Sequence, residues 1–358
     1  MARVFMKGCE AIAEAAVRAG CRFYAGYPIT PQNEIPEYMA RRQPEVGGTF
    51  IQGESEVASI SMVYGAASAG TRSMTSSSSP GISLKSEGIS YCATARIPIV
   101  YVNVARGGPG VGAIQPAQMD YLQATKASGN GGFQMRVFAP STVQEAVDMT
   151  YNAFDLADQD RNPVLILADG VVGTMMEPVV LPEQKSEEEV AAIKEGKKKW
   201  ALVGHKLDYA NRAWIQPGHW SNAMMQKMNE DAAALYESWP TQCEEYMIDD
   251  AEVILTSYGI SARICKSAAT ELRKQGIKAG VIRPITVNPF PYENYEHINY
   301  ANCKGILDVE MSIPALFVKD VEKGVKERAK ISTCLCSGGN IMSREAIIAA
   351  AKKIVEEA

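Results

Sequence analysis

Ile97-Pro98-Ile99-Val100-Tyr101-Val102-Asn103-Val104-Ala105 is followed at once by Arg106-Gly107-Gly108-Pro109-Gly110. A run this rich in β-branched and aromatic residues reads as a strand buried on both faces, the kind a parallel sheet requires. The glycines and proline behind it read as a loop outside regular structure. An arginine therefore stands where a buried strand ends and a glycine-rich turn begins.

The same alternation extends to both sides. Ile12, Ala15, Ala16 and Ala19 share one helical face over residues 9–19, and Gly20 is a natural C-cap. Residues 21–25 form a short apolar strand that runs into Gly26-Tyr27-Pro28-Ile29, where Pro28 forbids a strand interior. Thr30-Pro31 reads as N-cap and first position of a new helix. Further strands are expected at 49–52, 72–75, 134–138 and 164–168. Helices are expected at 57–69, built of Ala, Ser and Gly, and at 84–94. The spacing of Thr142 and Glu145 suits a capping box. The hydroxyl-rich Ser76-Ser77-Ser78-Ser79-Pro80-Gly81 reads as a loop. Short strands separated by helices imply an α/β fold with a parallel sheet covered on both faces. Ligand crevices in such sheets lie outside the carboxyl ends of the strands. Thr30, Ser76 and Arg106 each follow a strand, so three strand ends point at one site.

Residues 181–245 are rich in Glu, Lys, Gln, Trp and Met and have weak periodicity; they read as a connector between a domain at 1–180 and a smaller α/β domain at 246–358. In the latter, strands are expected at 252–257, 278–283 and 305–310, and helices at 261–274 and 341–357.

Composition excludes several classes. The 358 residues carry a net charge of −5, against non-specific nucleic-acid binding. The basic tract Lys194–Lys199 follows the acidic Glu187–Glu189 and reads as a solvated face. Eight cysteines are scattered with no CxxC, and three histidines lie far apart. No metal site is therefore expected in this chain, and a reducing, cytoplasmic setting is expected. No segment reads as a signal peptide or membrane span. The 108–112 stretch lacks GxGxxG spacing, and Walker A, HExxH and GxSxG are absent.

Chemistry falls on few residues. Glu56 would begin the small-residue helix, where acids commonly complement the dipole; partly desolvated, it could carry a proton. Arg106 suits a bidentate carboxylate partner, and Thr30 offers a hydroxyl and backbone N–H groups to an anion. Ala168-Asp169-Gly170 reads as a strand-end turn.

The segments 26–31, 52–56 and 104–110, together with Met6-Lys7-Gly8-Cys9-Glu10-Ala11 and residues 76–81, resemble the alpha-type subunit of 2-oxoacid:ferredoxin oxidoreductases, with wording most similar to the branched-chain (3-methyl-2-oxobutanoate) members. Cys9 stands where close relatives usually carry Asn. The resemblance implies a thiamine-diphosphate pyrimidine-binding domain and a smaller transketolase-C-terminal-like domain. It implies that Glu56 hydrogen-bonds the aminopyrimidine ring, with Tyr27, Pro28 and Ile29 beside the cofactor. Thr30 and Arg106 would contact the 2-oxo acid. It further implies that Mg2+, the diphosphate half and [4Fe-4S] clusters belong to a beta subunit and other partners. These would include gamma and small ferredoxin-like subunits, with coenzyme A as acyl acceptor and ferredoxin as electron acceptor. 2-Oxoglutarate or pyruvate is the alternative substrate; a non-catalytic scaffold would leave Glu56 facing away from a shared cleft.

Overall fold

A computed structural model describes residues 3–126, 128–204 and 221–358; His205 and His219 lie outside them. The first half forms β1 (Arg3–Lys7), α1 (Gly8–Arg18), β2 (Phe23–Gly26), α2 (Glu34–Glu45), β3 (Thr49–Gln52), α3 (Glu56–Ser68), β4 (Ser73–Ser77) and α4 (Ser79–Thr94). It continues with β5 (Val100–Gly107), β6 (Ala113–Pro116), α5 (Tyr121–Thr125), β7 (Arg136–Phe138), α6 (Val143–Asp160), β8 (Val164–Asp169), α7 (Gly170–Thr174) and β9 (Met176–Val180). Then come α8 (Glu187–Lys197), α9 (Asn222–Glu237), β10 (Cys243–Tyr246), β11 (Val253–Thr256), α10 (Gly259–Lys274), β12 (Ala279–Pro284) and β13 (Thr286–Asn288). A 3-10 segment (Tyr292–His297), β14 (Gly305–Glu310), α11 (Val318–Val325), β15 (Ile331–Leu335) and α12 (Arg344–Glu357) complete the chain.

The larger sheet has the order β13-β7-β8-β5-β4-β2-β3, with β6 pairing β5 off this path. Its strands are parallel except β13 and β6, which are antiparallel to their neighbours. The smaller sheet, β10-β12-β11-β14-β15, is parallel except at β10. β1 and β9 form a separate antiparallel pair.

Period-2 alternation assigns each strand residue to a face. Val100, Val102 and Val104 of β5 join Ile166 of β8 in the core under α1, α2 and α6, with Ile12, Ile35 and Phe154. Tyr101 and Ala105 join Leu165 and Leu167 in the opposite core, with Ile60 of α3 and Ile89 of α4. Both faces are dry, so the strands read as continuous apolar runs. On one face α3 and α4 approach closely, because a Cβ on Gly88 would stand 2.6 Å from Ile60.

Local chemistry sets some helix ends, and tertiary contacts override it at others. α1 closes on Gly20 at φ +87°, with Gly20 N–H donating to Val17 and Cys21 N–H to Ala16, a Schellman arrangement. Thr30-Pro31, by contrast, does not open a helix: α2 starts at Glu34, after Asn33. At α6, Thr142 accepts from the Glu145 N–H, but the Glu145 carboxylate accepts from Ser141 and pairs with Arg283. A tertiary cation thus outcompetes the reciprocal half of the capping box.

Two strands do not follow the expected division of the chain at 245. β10 comes from the connector and extends the smaller sheet. β13 leaves the second half and extends the larger sheet at β7. A buried carboxylate reinforces this join. Asp169 caps α7 by accepting from Val171 at 3.1 Å and Val172 at 3.0 Å, and accepts from Ile260 of α10 at 2.9 Å. Burial pushes its carboxyl up to about 6, against the pull of the amide donors. Gly259, at φ +56°, is required there, since a Cβ would stand 2.7 Å from the Asp169 oxygen. Gln118 adds a second link: it donates to the Tyr258 carbonyl and accepts from Ser261 and Met311. Asp169→Ala removes a cap and orphans an amide of α10, at a cost of about 2 kcal/mol or more; thermal unfolding of the full chain should show a correspondingly lowered midpoint.

Candidate active site

The carboxyl edge of the larger sheet gathers the loops after β2, β4 and β5. Arg106, the seventh residue of β5, is 6% exposed and has no carboxylate partner among the described residues. Its Nη1 donates to the Thr30 carbonyl at 2.8 Å and its Nη2 to the Val111 carbonyl at 2.7 Å. One guanidinium thus ties the 27–32 loop to the glycine-rich turn. That turn is tighter than expected, because β5 continues to Gly107 and pairs back with β6. The buried Nε of Arg106 has no partner.

The turn after β4 is held from below. Ser79 Oγ donates to Asp120 Oδ2 at 2.5 Å and accepts from the Arg106 N–H at 2.9 Å. Asn103 donates to the same Asp120 oxygen at 2.8 Å and accepts from the Ser79 N–H at 3.0 Å. Burial raises the Asp120 carboxyl above its ordinary value, although Ser79, Asn103 and the Arg106 charge oppose the shift. Ser76 bonds Tyr24 at 2.6 Å and Gln32 at 2.5 Å, fastening the 27–32 loop to β4. Ser77 and Ser78, in contrast, bury hydroxyls with no partner. Unpaired buried hydroxyls are costly, so a crevice with unused donors points to a polar ligand.

Glu56 is the first residue of α3, whose Ser55 cap accepts from Ala58. It is 6% exposed, whereas Glu54 lies in solvent. Its carboxylate lies over Gly81 of α4: a Cβ there would stand 2.6 Å from Glu56 Oε1 and 2.0 Å from Ser77 Oγ. The absence of a side chain at 81 leaves room for the acid beside the serine turn. Glu56, Arg106 and Thr30 therefore share one edge, with Arg106 touching Thr30 directly. Tyr27 and Pro28 are exposed and Ile29 half-buried, on the rim of the crevice. Thr30 Oγ1 takes a 3.4 Å contact from Asn33 and caps nothing. Cys9 is buried, its thiol 3.7 Å from the Pro31 carbonyl and pushed upward by burial. Arg22 and Arg96 precede their strands and stand at the opposite end of the sheet. There Arg22 pairs with Glu187, and Arg96 bonds the Asp160 and Arg161 carbonyls.

The buried partnerships of Asn103, Asp120, Ser79, Gln32 and Lys85 were not read from the sequence. Asn103 was the visible signal: a single amide inside an otherwise apolar strand must find a buried partner.

The described residues include no cluster of His, Cys, Asp and Glu suited to a metal, and no helix long and apolar enough to cross a membrane. Residues 14–247 match the thiamine-diphosphate-binding domain of pyruvate flavodoxin/ferredoxin oxidoreductases. The chain belongs to this family, as an alpha-type 2-oxoacid:ferredoxin oxidoreductase subunit. Residues 251–347 match core domain II of pyruvate:ferredoxin oxidoreductase. Ketoisovalerate oxidoreductase subunit VorB of Methanothermobacter marburgensis is 45% identical over 315 residues, 87% of each chain. The 2-oxoglutarate synthase subunit KorA of Methanocaldococcus jannaschii is 33% identical, over 94% of this chain and 96% of its own. Among solved structures, the 2-oxoglutarate:ferredoxin oxidoreductase from Magnetococcus marinus, determined with 2-oxoglutarate, coenzyme A and succinyl-CoA bound, shares the fold. Its TM-score is 0.81 at 24% identity, and this subunit spans 65% of that chain. A split-gene transketolase shares it more distantly, with a TM-score of 0.59 at 13% identity. The fold thus pairs a pyrimidine-binding-type domain with a smaller transketolase-C-like one.

Asn103→Ala should leave the Ser79 amide and the Asp120 carboxylate each short of a partner. The expected loss is about 2 kcal/mol, read as a lowered urea midpoint of the full chain.

Proposed function

We propose that this subunit supplies the aminopyrimidine half of a thiamine-diphosphate site, at which a 2-oxo acid is oxidatively decarboxylated to an acyl-CoA. The carrying observation is Glu56, buried at a helix start beside unpartnered hydroxyls and a glycine that makes room for it. Those residues fit the neutral, hydrogen-bonding ring of the cofactor. Bound thiamine diphosphate supplies the carbon nucleophile for the 2-oxo carbon and takes up the electrons left when carbon dioxide departs. The chain's own share is orientation and proton control. Glu56 would hold a proton at the ring nitrogen, with Tyr27, Pro28 and Ile29 bordering the ring. Arg106, fixed by two carbonyls with Nε unused, would orient the substrate carboxylate, and the Thr30 hydroxyl would meet the substrate carbonyl.

The rest of the site belongs to partners in this reading. Asp169, the acid of the Ala168-Asp169-Gly170 turn, is consumed by two helix N-termini and is not available to Mg2+. A beta subunit would hold the diphosphate with Mg2+. [4Fe-4S] clusters on it and on gamma or small ferredoxin-like subunits would pass electrons to ferredoxin, and coenzyme A would accept the acyl group. The favoured substrate is 3-methyl-2-oxobutanoate. Relatives at 45% identity carry the ketoisovalerate name, and Arg22 and Arg96 are spent far from Arg106, which favours a single carboxylate. 2-Oxoglutarate is the competing reading, supported by relatives at 33% identity over nearly the whole chain.

The test is co-expression with the partner subunits and assay of 2-oxo-acid-dependent viologen reduction. Glu56→Gln should lower kcat at least ~100-fold; a fully active variant would refute the relay. A panel of 3-methyl-2-oxobutanoate, 2-oxoglutarate and pyruvate compared by kcat/KM should favour the branched acid, and a preference for the dicarboxylate would select the competing reading.

A further inference from the structure

Two lysines are buried among the described residues, and their surroundings differ. Lys197, 6% exposed, is ion-paired with Asp158. Lys85 is fully buried on α4 and has no carboxylate within salt-bridge reach. Its Nζ donates to Thr75 Oγ1 of β4 at 3.0 Å and makes a long 3.5 Å contact to the carbonyl of Glu56. Thr75 in turn donates to the Ala25 carbonyl of β2 at 2.7 Å. The amine therefore sits where β2, β4 and the first turn of α3 meet.

The spacing on α4 explains the placement. Gly81 and Lys85 are four residues apart and lie on one helix face. The Glu56 carboxylate rests over Gly81, and the amine reaches the same turn of α3 one helical step deeper. A strongly hydrated ammonium is an expensive group to bury without a counter-charge. An apolar side chain of the same length would fill this space at no such cost. The lysine is thus a feature that packing alone does not require.

We propose that Lys85 is a positioning residue for Glu56: sealed beneath the first turn of α3, its amine ties the backbone of that turn to Thr75 of β4 and so fixes where Glu56 stands. This rests on the site reading above. Burial brings the Lys85 amine down to about 7, while the charge of Glu56 opposes the fall. Glu56 of α3 is the one titratable group among the described residues that bears on it; β2, β4 and α4 add none. Below that pH the amine is an ammonium beside the backbone of Glu56, within the reach of its charge. Above it the carboxylate loses its positive neighbour without any change in packing. The charge behind Glu56, and with it the catalytic rate, should therefore change across neutral pH.

The test begins with the full chain carrying 13C-labelled lysine. One lysine signal should titrate near pH 7, be missing from Lys85→Met, and move to lower pH in Glu56→Gln. A wild-type chain in which every lysine titrates near the ordinary 10.5 overturns the inference. In the assembled enzyme, the pH–rate profile should show a limb near neutrality that Lys85→Met abolishes. The variant's fold is checked by its thermal midpoint. An unchanged limb in a folded Lys85→Met enzyme also overturns it. Full activity in Glu56→Gln would instead defeat the site reading and leave the lysine titration standing, so the two failures are separable.

Discussion

The guanidinium of Arg106 is the constraint on which the crevice depends. A buried arginine cannot shed its charge and must place its donors. Two of them fall on the carbonyls of Thr30 and Val111, one on each of two loops that have no regular structure of their own. Ser76 and Gln32 also hold the loop after β2, but the Arg106 bridge is what ties it to the turn after β5. With it, they form walls of fixed separation, and Nε is left over. The same side chain shapes the crevice and has one buried donor, Nε, without a partner.

Beneath this bridge lies a layer of buried polar groups that position one another. Ser79, Asn103 and Asp120 close on each other, and Ser76 joins Tyr24 to Gln32. Such networks are strong when every member is paired and costly when one is not. Ser77, Ser78 and the Arg106 Nε are the buried members left without a partner.

The second half of the chain supports the same edge. Asp169 and Gln118 bind it to the larger sheet largely through backbone amides and carbonyls, beside the Arg283–Glu145 ion pair. Backbone partners are fixed by the fold itself, so this join has little freedom to slide. β13, contributed by the second half to the first sheet, makes the two halves topologically inseparable along that side.

Much of this was legible in the sequence. The apolar run ending at Arg106, the small-residue helix after Glu56 and the glycine closing α1 each carry a local signature, because side-chain periodicity and backbone freedom act over a few residues. The resemblance placed Glu56, Arg106 and Thr30 in one site, and the sheet brings them to one edge. Other features were illegible for a common reason: they depend on partners distant in the chain. Thr30 lost its expected capping role, Glu145 gave up half of its box to Arg283, and β13 changed sheets. Lys85 became a buried amine under Glu56. The sequence by itself determined the main alternation of strands and helices and which residues were candidates for the chemistry. The tertiary structure alone decided which polar groups are sealed from water and against whom, since burial and pairing are properties of surfaces that meet only after the chain has folded.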